Sequence, residues 1–275
     1  MIKIRGLLAV ALLFGSATHA TSQVVVAHRG ASRDAPENTL SAFKLAWQQG
    51  SDGIEGDFYL TADQQIVCIH DRDTKRTAGI KKVVEQSTLA ELQTLEYGSW
   101  KDPKWKGEPI PTFEEVLQTV PKGKLFVIEL KSKTAIVPVL KAELAKHDTG
   151  HIELLIIAFD QATAAACKDQ MPTVKVHWLT SFKESKTDSS LHPTAPEIAA
   201  IVRELGVEGV GMQGNRDVIT KDFAAKLRAG DCNEFHVWTI DSVDDAKYFQ
   251  SLGAIGVTTN VPAVIGDAIR DKVPR

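Results

Sequence analysis

The stretch "GIEGDFYLTADQQIVCIH" (53–70) decides how the rest of the chain folds. Its two apolar runs of strand length are separated by only the five residues "TADQQ". A parallel connection needs roughly a dozen residues or more, so this link predicts an antiparallel hairpin. A turn at the centre of the link predicts that Asp57 pairs with Cys68 and that Glu55 pairs with His70.

Apolar runs of strand length alternate with helical patterns through most of the chain, which is typical of a mostly parallel sheet covered by helices. Once the second arm of the hairpin is set aside, eight parallel strands remain. The sequence therefore predicts an α/β fold, the (β/α)8 or TIM barrel. The strand candidates are residues 24–28, 53–60, 66–70, 124–131, 151–159, 175–180, 207–213, 234–240 and 254–260.

Helix signals lie between these runs. Residues 38–49 have a helical pattern and are followed by a glycine that favours termination. Thr112 with Glu115, and Thr194 with Glu197, have the spacing of a capping box at a helix start. These signals place helices where a barrel requires crossover connections.

Residues 72–111 form the least regular part of the chain, with one short amphipathic pattern at 87–95. We interpret this segment as an insertion after the second barrel strand that lies over the barrel mouth. Residues 21–275 are accordingly predicted to form one barrel domain.

The first twenty residues are typical of a cleavable signal peptide. Lys3 and Arg5 precede an apolar run over 7–14, and small residues lead to an expected cut after Ala20. The alternative is an N-terminal membrane anchor, but the run is shorter than the roughly 20 residues that span a bilayer. The sequence thus predicts a periplasmic or secreted protein without stable membrane insertion.

Composition narrows the class of partner. The formal net charge is −3 and no block of basic residues is present, which argues against nucleic acid as the ligand. The three cysteines are too few and too scattered for a disulfide framework. Cys68 lies within an apolar run and is expected to be a core residue.

Acidic residues gather near the predicted strand ends. Residues two apart on a strand share a face, so Glu55 and Asp57 point the same way, as do Glu129 and Lys131. In a parallel barrel these side chains approach the carboxyl-terminal mouth, where such folds carry their active sites. Three carboxylates there would repel one another, and an all-oxygen set suits a hard divalent cation, Ca²⁺ or Mg²⁺.

Two histidines end strands at the same predicted face. His28, followed by Arg29, ends the first run, and His70 ends the hairpin. A single histidine or acidic residue at such a position is more often structural or simply solvated. Together with the carboxylates, however, they form a set with the residue types that acid–base chemistry on an anionic substrate requires.

The motifs "VVVAHRGASRDAPENTLSAF", "GIEGDFYLTAD", "IVCIHD", "IPTFEEVL" and "FVIELK" resemble those of the glycerophosphodiester phosphodiesterase family, and the resemblance runs over about residues 24–262. It implies a (β/α)8 barrel with an insertion after the second strand. It also implies hydrolysis of small-molecule glycerophosphodiesters to glycerol 3-phosphate and an alcohol. In the family the substrate's own 2-hydroxyl is thought to attack, giving a cyclic phosphate that water then opens.

The resemblance also assigns roles to individual residues. It implies acid–base catalysis by His28 and His70, metal binding by Glu55, Asp57 and Glu129, and substrate contacts from Arg29, Lys131 and Trp238. Two positions depart from the family pattern: Asn260 stands where Asp is common, and Gly56 stands where an apolar residue is usual.

Three alternatives remain open at this point. A relative acting on lysophospholipid or sphingolipid head groups, of phospholipase D type, would use similar catalytic residues. A zinc hydrolase would use His28 and His70 as ligands, although no HExxH spacing is present. A non-catalytic periplasmic protein that binds phosphodiesters would not require an acid–base pair.

Overall fold

The computed structural model describes residues 23–186 and 189–270, and within them eight parallel strands close into a barrel. The predicted signal peptide, residues 1–20, lies outside the described residues. Following the barrel around, the order is β1, β2, β4, β5, β6, β9, β10 and β11, which pairs again with β1. These strands are β1 (Val24–His28), β2 (Gly53–Leu60), β4 (Leu125–Leu130), β5 (Glu153–Ala158), β6 (Lys175–Thr180), β9 (Gly209–Gln213), β10 (Glu234–Trp238) and β11 (Gly256–Thr259).

Three further strands lie outside the barrel. β3 (Ile66–Cys68) pairs antiparallel with β2, which confirms the hairpin. The short β7 (Lys183–Glu184) and β8 (Leu191–His192) form a separate two-stranded sheet that the sequence pattern does not predict.

The predicted hairpin register is wrong by one residue. Phe58, not Asp57, pairs with Cys68, because the backbone N–H of Thr61 donates to the Gln65 carbonyl (2.9 Å) and so closes a five-residue turn. Cys68 consequently faces the same side as Phe58, and the predicted pairing of Glu55 with His70 does not occur. Asp57 faces the barrel interior instead.

Helices cover the barrel from outside. They are α1 (Leu40–Gln48), α2 (Lys75–Ala78), α3 (Leu89–Leu92), α4 (Phe113–Leu117), α5 (Ile136–Leu144), α6 (Gln161–Gln170), α7 (Ala195–Leu205), α8 (Lys221–Ala229), α9 (Val243–Ser251) and α10 (Pro262–Ile269). The capping boxes at the starts of α4 and α7 are confirmed. None of these helices is long and apolar enough to cross a membrane.

The start of α1 differs from the sequence-based expectation. The helix begins at Leu40, since Asn38 has a positive φ of 57° and is not helical. The Thr39 hydroxyl accepts a hydrogen bond from the N–H of Ala42 (3.2 Å) and caps the helix. The Asn38 side chain is therefore not needed to cap the helix and can form hydrogen bonds near the barrel mouth.

Segment 72–111 packs on the hairpin through its own small core. Val84, Leu92, Tyr97 and Ile110 are buried together with the outward residues of the second hairpin arm. Its helices are single turns, and the expected helix at 87–95 is reduced to α3.

Inside the barrel, apolar side chains form a floor beneath the charged residues. Val26, Val127, Leu155, Ile157 and Leu179 are buried together there. All three cysteines are free and buried.

Candidate active site

Three buried carboxylates form the centre of the site. Asp57 on β2 is in register with Glu129 on β4, and Glu55 lies two residues before Asp57. The three residues are only 1–8% exposed. Ligand oxygens of all three lie within 4.8 Å of one another.

The triad has an unsatisfied acceptor. Glu55 Oε1 is buried and has no hydrogen-bond partner. A buried, unpartnered carboxylate oxygen is costly unless something positive binds it. The donor set and this oxygen therefore fit a hard divalent cation held by Glu55, Asp57 and Glu129.

Two basic side chains contact the triad. Lys131 Nζ lies 2.9 Å from Asp57 Oδ1 and also contacts Glu129 Oε1. The Arg29 guanidinium lies 3.2 Å from Asp57 Oδ2, and the Arg29 backbone N–H donates to Glu55 Oε2 (2.9 Å). The structure thus brings Arg29 and Lys131 to the predicted metal ligands.

Burial and mutual repulsion separate the pKa values of the three acids. Burial, the charge of Asp57 and then that of Glu129 hold the pKa of Glu55 well above its ordinary value. Burial and the Asp57 charge raise the pKa of Glu129 to about 7. Burial also opposes ionisation of Asp57, but Lys131 and Arg29 outweigh it and hold the pKa of Asp57 well below its ordinary value.

Asn38 positions Asp57 from the loop before α1. Its Nδ2 donates to Asp57 Oδ2 (2.8 Å), and its Oδ1 accepts from the Asp57 N–H (3.2 Å). Sequence reasoning missed this role by assigning Asn38 to the helix. An Asn immediately before a Thr cap is the signal that could have revealed it, because Asn tolerates a positive φ.

His28 ends β1 in register with Glu55. Its Nδ1 lies 2.8 Å from Asn260 Oδ1. Asn260 in turn donates its Nδ2 to Asp241 Oδ2 (2.7 Å), which orients the amide with its oxygen towards His28. Burial, aided by the Arg29 charge, lowers the pKa of His28 to about 4. The imidazole is therefore neutral at pH 7, with its proton on Nδ1 and a lone pair on Nε2.

His70 is more exposed and has a carboxylate partner. Its Nδ1 lies 2.8 Å from Asp71 Oδ1, and Arg76 Nε donates to the other oxygen of Asp71 (2.7 Å). Arg76 also donates to Glu37, which accepts from Arg29 (2.9 Å). This chain of ion pairs connects His70 to Arg29, and the charge of His70 contributes to the low pKa of Asp57.

Trp238 lies at the end of β10 and is half-buried. It packs edge-on against Phe159, with ring centres 5.5 Å apart. Among the described residues its indole N–H has no hydrogen-bond partner, and no bond joins it to the acidic triad. The structure therefore places Trp238 beside an aromatic neighbour rather than in the charged cluster.

A cavity of about 310 Å³ opens beside His28 and Arg29. Trp100 and Lys101 of segment 72–111 line its outer wall. A larger cavity, of about 720 Å³, lies at the opposite end of the barrel and is lined by none of the predicted site residues. The smaller cavity therefore adjoins two of the predicted site residues, His28 and Arg29.

Comparison with known proteins agrees with this geometry. Residues 28–264 match the model of the glycerophosphoryl diester phosphodiesterase family. A glycerophosphodiester phosphodiesterase of Caldanaerobacter subterraneus is 31% identical over 261 residues, covering 90% of this chain and 98% of the relative. One from Bacillus altitudinis is 29% identical over 244 residues, covering 86% of this chain and 94% of the relative.

A solved structure has the same fold. An Oleispira antarctica phosphodiesterase, in complex with its product sn-glycerol-3-phosphate, superposes with a TM-score of 0.76 at 26% identity. The alignment covers 90% of this chain and 97% of that one. The barrel and the order of its motifs are thus common to the two proteins.

Proposed function

The chain belongs to the glycerophosphoryl diester phosphodiesterase family and is an enzyme of that class, and from this premise we propose a specific reaction. It hydrolyses glycerophosphodiesters to glycerol 3-phosphate and an alcohol, with two histidines and a divalent cation. The relative from Oleispira antarctica carries glycerol 3-phosphate as its product, which supports the same product here.

The observation that carries the proposal is the buried acidic triad beside a neutral histidine. Glu55, Asp57 and Glu129 would hold the cation, Ca²⁺ or Mg²⁺. Such a cation would polarise a substrate hydroxyl and a phosphate oxygen. Arg29 and Lys131, which contact these carboxylates, would share the negative charge of the phosphate.

His28 is the proposed base. Its Nδ1 proton is directed at Asn260, so Nε2 is free to accept the proton of the attacking hydroxyl. The new bond joins that oxygen to phosphorus while the bond from phosphorus to the alcohol oxygen breaks. His28 takes the proton that the nucleophile loses.

His70 is the proposed acid. The Asp71 carboxylate accepts a hydrogen bond from Nδ1 and orients the ring, so that a protonated His70 would present its Nε2–H to the departing alkoxide. An alkoxide is a poor leaving group, so this proton is needed at the moment the bond breaks. When water later opens a cyclic phosphate, the two histidines exchange roles.

The direct test is a coupled assay for glycerol 3-phosphate with glycerophosphocholine as substrate. We expect chelator to abolish release and added Ca²⁺ or Mg²⁺, but not Zn²⁺ alone, to restore it. Lysophosphatidylcholine in a parallel assay tests the lysophospholipid alternative. Faster turnover of the lysolipid, or activity that survives chelation, would refute the proposal.

We also propose that residues 1–20 direct export and are removed. The mature protein, recovered from the periplasm or the medium, should then begin at Thr21. N-terminal sequencing checks this, and a chain that retains Met1 in the exported fraction would contradict it.

A further inference from the structure

The cavity at the barrel mouth has an outer wall that the proposed reaction does not use. His28 and Arg29 form its inner end, and Arg33, Trp100 and Lys101 contribute to the wall that faces solvent. In the proposed function the inner residues act at the phosphate. The group on the outward side of that phosphate, the alcohol of the substrate, therefore lies against the outer wall.

The outer wall carries two cations that no acid neutralises. Lys101 Nζ donates to the carbonyl oxygen of Ser32 (2.8 Å). Within residues 23–186 and 189–270, neither Lys101 nor Arg33 has a carboxylate oxygen within ion-pair distance. Both positive charges are thus available to an anionic ligand.

The carboxylates of the same cavity are already engaged. Glu37 forms ion pairs with Arg29 (2.9 Å) and Arg76 (2.8 Å). Asp241 accepts hydrogen bonds from the backbone N–H of Asn260 (2.8 Å) and from its side-chain amide (2.7 Å). The charge of Glu37 is therefore neutralised by its ion pairs, whereas Asp241 keeps its negative charge. Arg33 and Lys101 together outweigh Asp241, so the cavity wall retains an excess of positive charge.

Two cations lie near the ring of Trp100, which is 39% exposed. A tryptophan at a binding cavity often recognises quaternary ammonium groups through its ring. Here the Arg76 guanidinium lies 5.8 Å and the Lys101 ammonium 5.9 Å from the ring centre. The positive charge of a choline group near this ring would be repelled by Lys101, which has no acidic partner among the described residues.

We propose that this cavity selects the alcohol of the substrate and favours an alcohol with an anionic group, such as a second phosphate, over a cationic one. The proposal rests on the proposed function, because it takes the phosphodiester to bind at His28 and Arg29. The selecting residues are Arg33 and Lys101, which act by charge.

The experiment compares three substrates that share the glycerol 3-phosphate half and differ in the alcohol: choline, glycerol and inositol 4-phosphate. With the full-length enzyme and saturating Ca²⁺, we expect kcat/KM to rise in that order. For charges about 6 Å apart, each additional negative charge on the alcohol should raise kcat/KM about 3- to 10-fold. This increase should become smaller when salt is added.

Variants test whether the named side chains cause the order. The double variant R33A/K101A should reduce the preference for inositol 4-phosphate over choline at least about threefold. K106A removes an exposed lysine of the same segment that does not line the cavity, and should leave the preference unchanged.

Equal kcat/KM values, a preference for choline, or an unchanged order in the double variant would overturn this proposal while leaving the proposed function intact. Failure to release glycerol 3-phosphate from any of the three substrates would instead refute the proposed function itself.

Discussion

At the scale of single residues, Asn260 determines which nitrogen of His28 is available for chemistry. Its amide nitrogen donates to Asp241, so its oxygen faces both His28 Nδ1 and the Ser32 hydroxyl, each at 2.8 Å. Asn260 thus supplies a hydrogen-bond acceptor without adding a negative charge. Burial and the Arg29 charge keep His28 neutral, and Asn260 fixes the proton on Nδ1 so that Nε2 carries the lone pair.

Two substitutions of Asn260 distinguish its effect on the His28 tautomer from the effect of a negative charge beside His28. Asn260→Ala removes the acceptor and should lower kcat about 10- to 100-fold. Asn260→Asp restores the acceptor, but its negative charge favours the imidazolium and raises the pKa of His28. The acidic limb of its kcat/KM profile should therefore move to higher pH than in wild type. An identical profile, or an Ala variant with full activity, would contradict this role.

As a proposed cation ligand, Glu129 would link cation binding to pH. Its pKa is about 7 in the folded chain against 4.5 ordinarily, so between these values the folded state binds more protons than the unfolded state. Without a cation, the contribution of Glu129 to stability is therefore lost as pH rises towards and through 7. A divalent cation would neutralise the ionised Glu129 carboxylate, as a proton does at lower pH.

Thermal melts with chelator and with Ca²⁺ check this linkage. The increase in Tm caused by Ca²⁺ should be larger at pH 8 than at pH 5. At a hundredfold excess of cation over Kd, the stabilisation should reach about 2.7 kcal/mol. Glu129→Gln should reduce this pH dependence without abolishing it, because the pKa of Glu55 is also raised. An increase in Tm that is the same at both pH values would exclude Glu129 as a ligand.

At the scale of elements, the junction between β1 and α1 positions the loop that carries Arg29. Gly30 has a φ of +79°, and a Cβ added there would lie 2.6 Å from the backbone carbon of Ala42 in α1. The Ala31 N–H donates to the Ala42 carbonyl (3.0 Å), which keeps loop and helix in contact. Only glycine satisfies both constraints.

Gly30→Ala should therefore be more destabilising than a change at another glycine of similar φ. Gly79, with a φ of +73°, has open space around its Cβ position and is the matched control. Gly79→Ala should cost about 1–2 kcal/mol from backbone strain alone. Gly30→Ala should cost a further 1–3 kcal/mol or so from the clash. If urea unfolding gave equal losses in the free energy of unfolding for the two variants, the close contact between Gly30 and Ala42 would not contribute to stability.

The hairpin shows what the sequence can and cannot reveal at this scale. The length of the link between β2 and β3 predicted an antiparallel pair, because chain geometry allows little else. The register was predicted wrongly by one residue, since it depends on the hydrogen bonds of the turn at Thr61 and Gln65. A change of one residue in the register between β2 and β3 would reverse which side chains of β3 face the barrel interior.

At the scale of the whole molecule, eight parallel strands place residues distant in sequence at one mouth. Strand periodicity and the family motifs predicted that Glu55, Asp57 and Glu129 converge, and the structure confirms that convergence. No sequence pattern predicted that Asp241 and Asn260 support His28. These contacts join loops more than 200 residues from His28, and only closure of the barrel brings them together.

We propose above all that His28 acts as the base and His70 as the acid. Two substrates separate the roles: the glycerophosphodiester of a simple alcohol, and that of p-nitrophenol, whose anion leaves without a proton. His28→Ala should lower kcat on both substrates by about 10²–10⁴-fold. In a single turnover, His70→Ala should slow the release of the simple alcohol comparably but slow the release of p-nitrophenolate much less, because only the first step differs between the two substrates.

The decisive measurement is the single-turnover rate at which wild type, His28→Ala and His70→Ala release the alcohol or p-nitrophenolate from these two substrates, with saturating Ca²⁺ and with Tm values that confirm folding. This division of roles predicts slower release from both substrates for His28→Ala, and slower release mainly from the alcohol diester for His70→Ala. Near-normal turnover by His28→Ala on either substrate, or equal losses on both by His70→Ala, would contradict it.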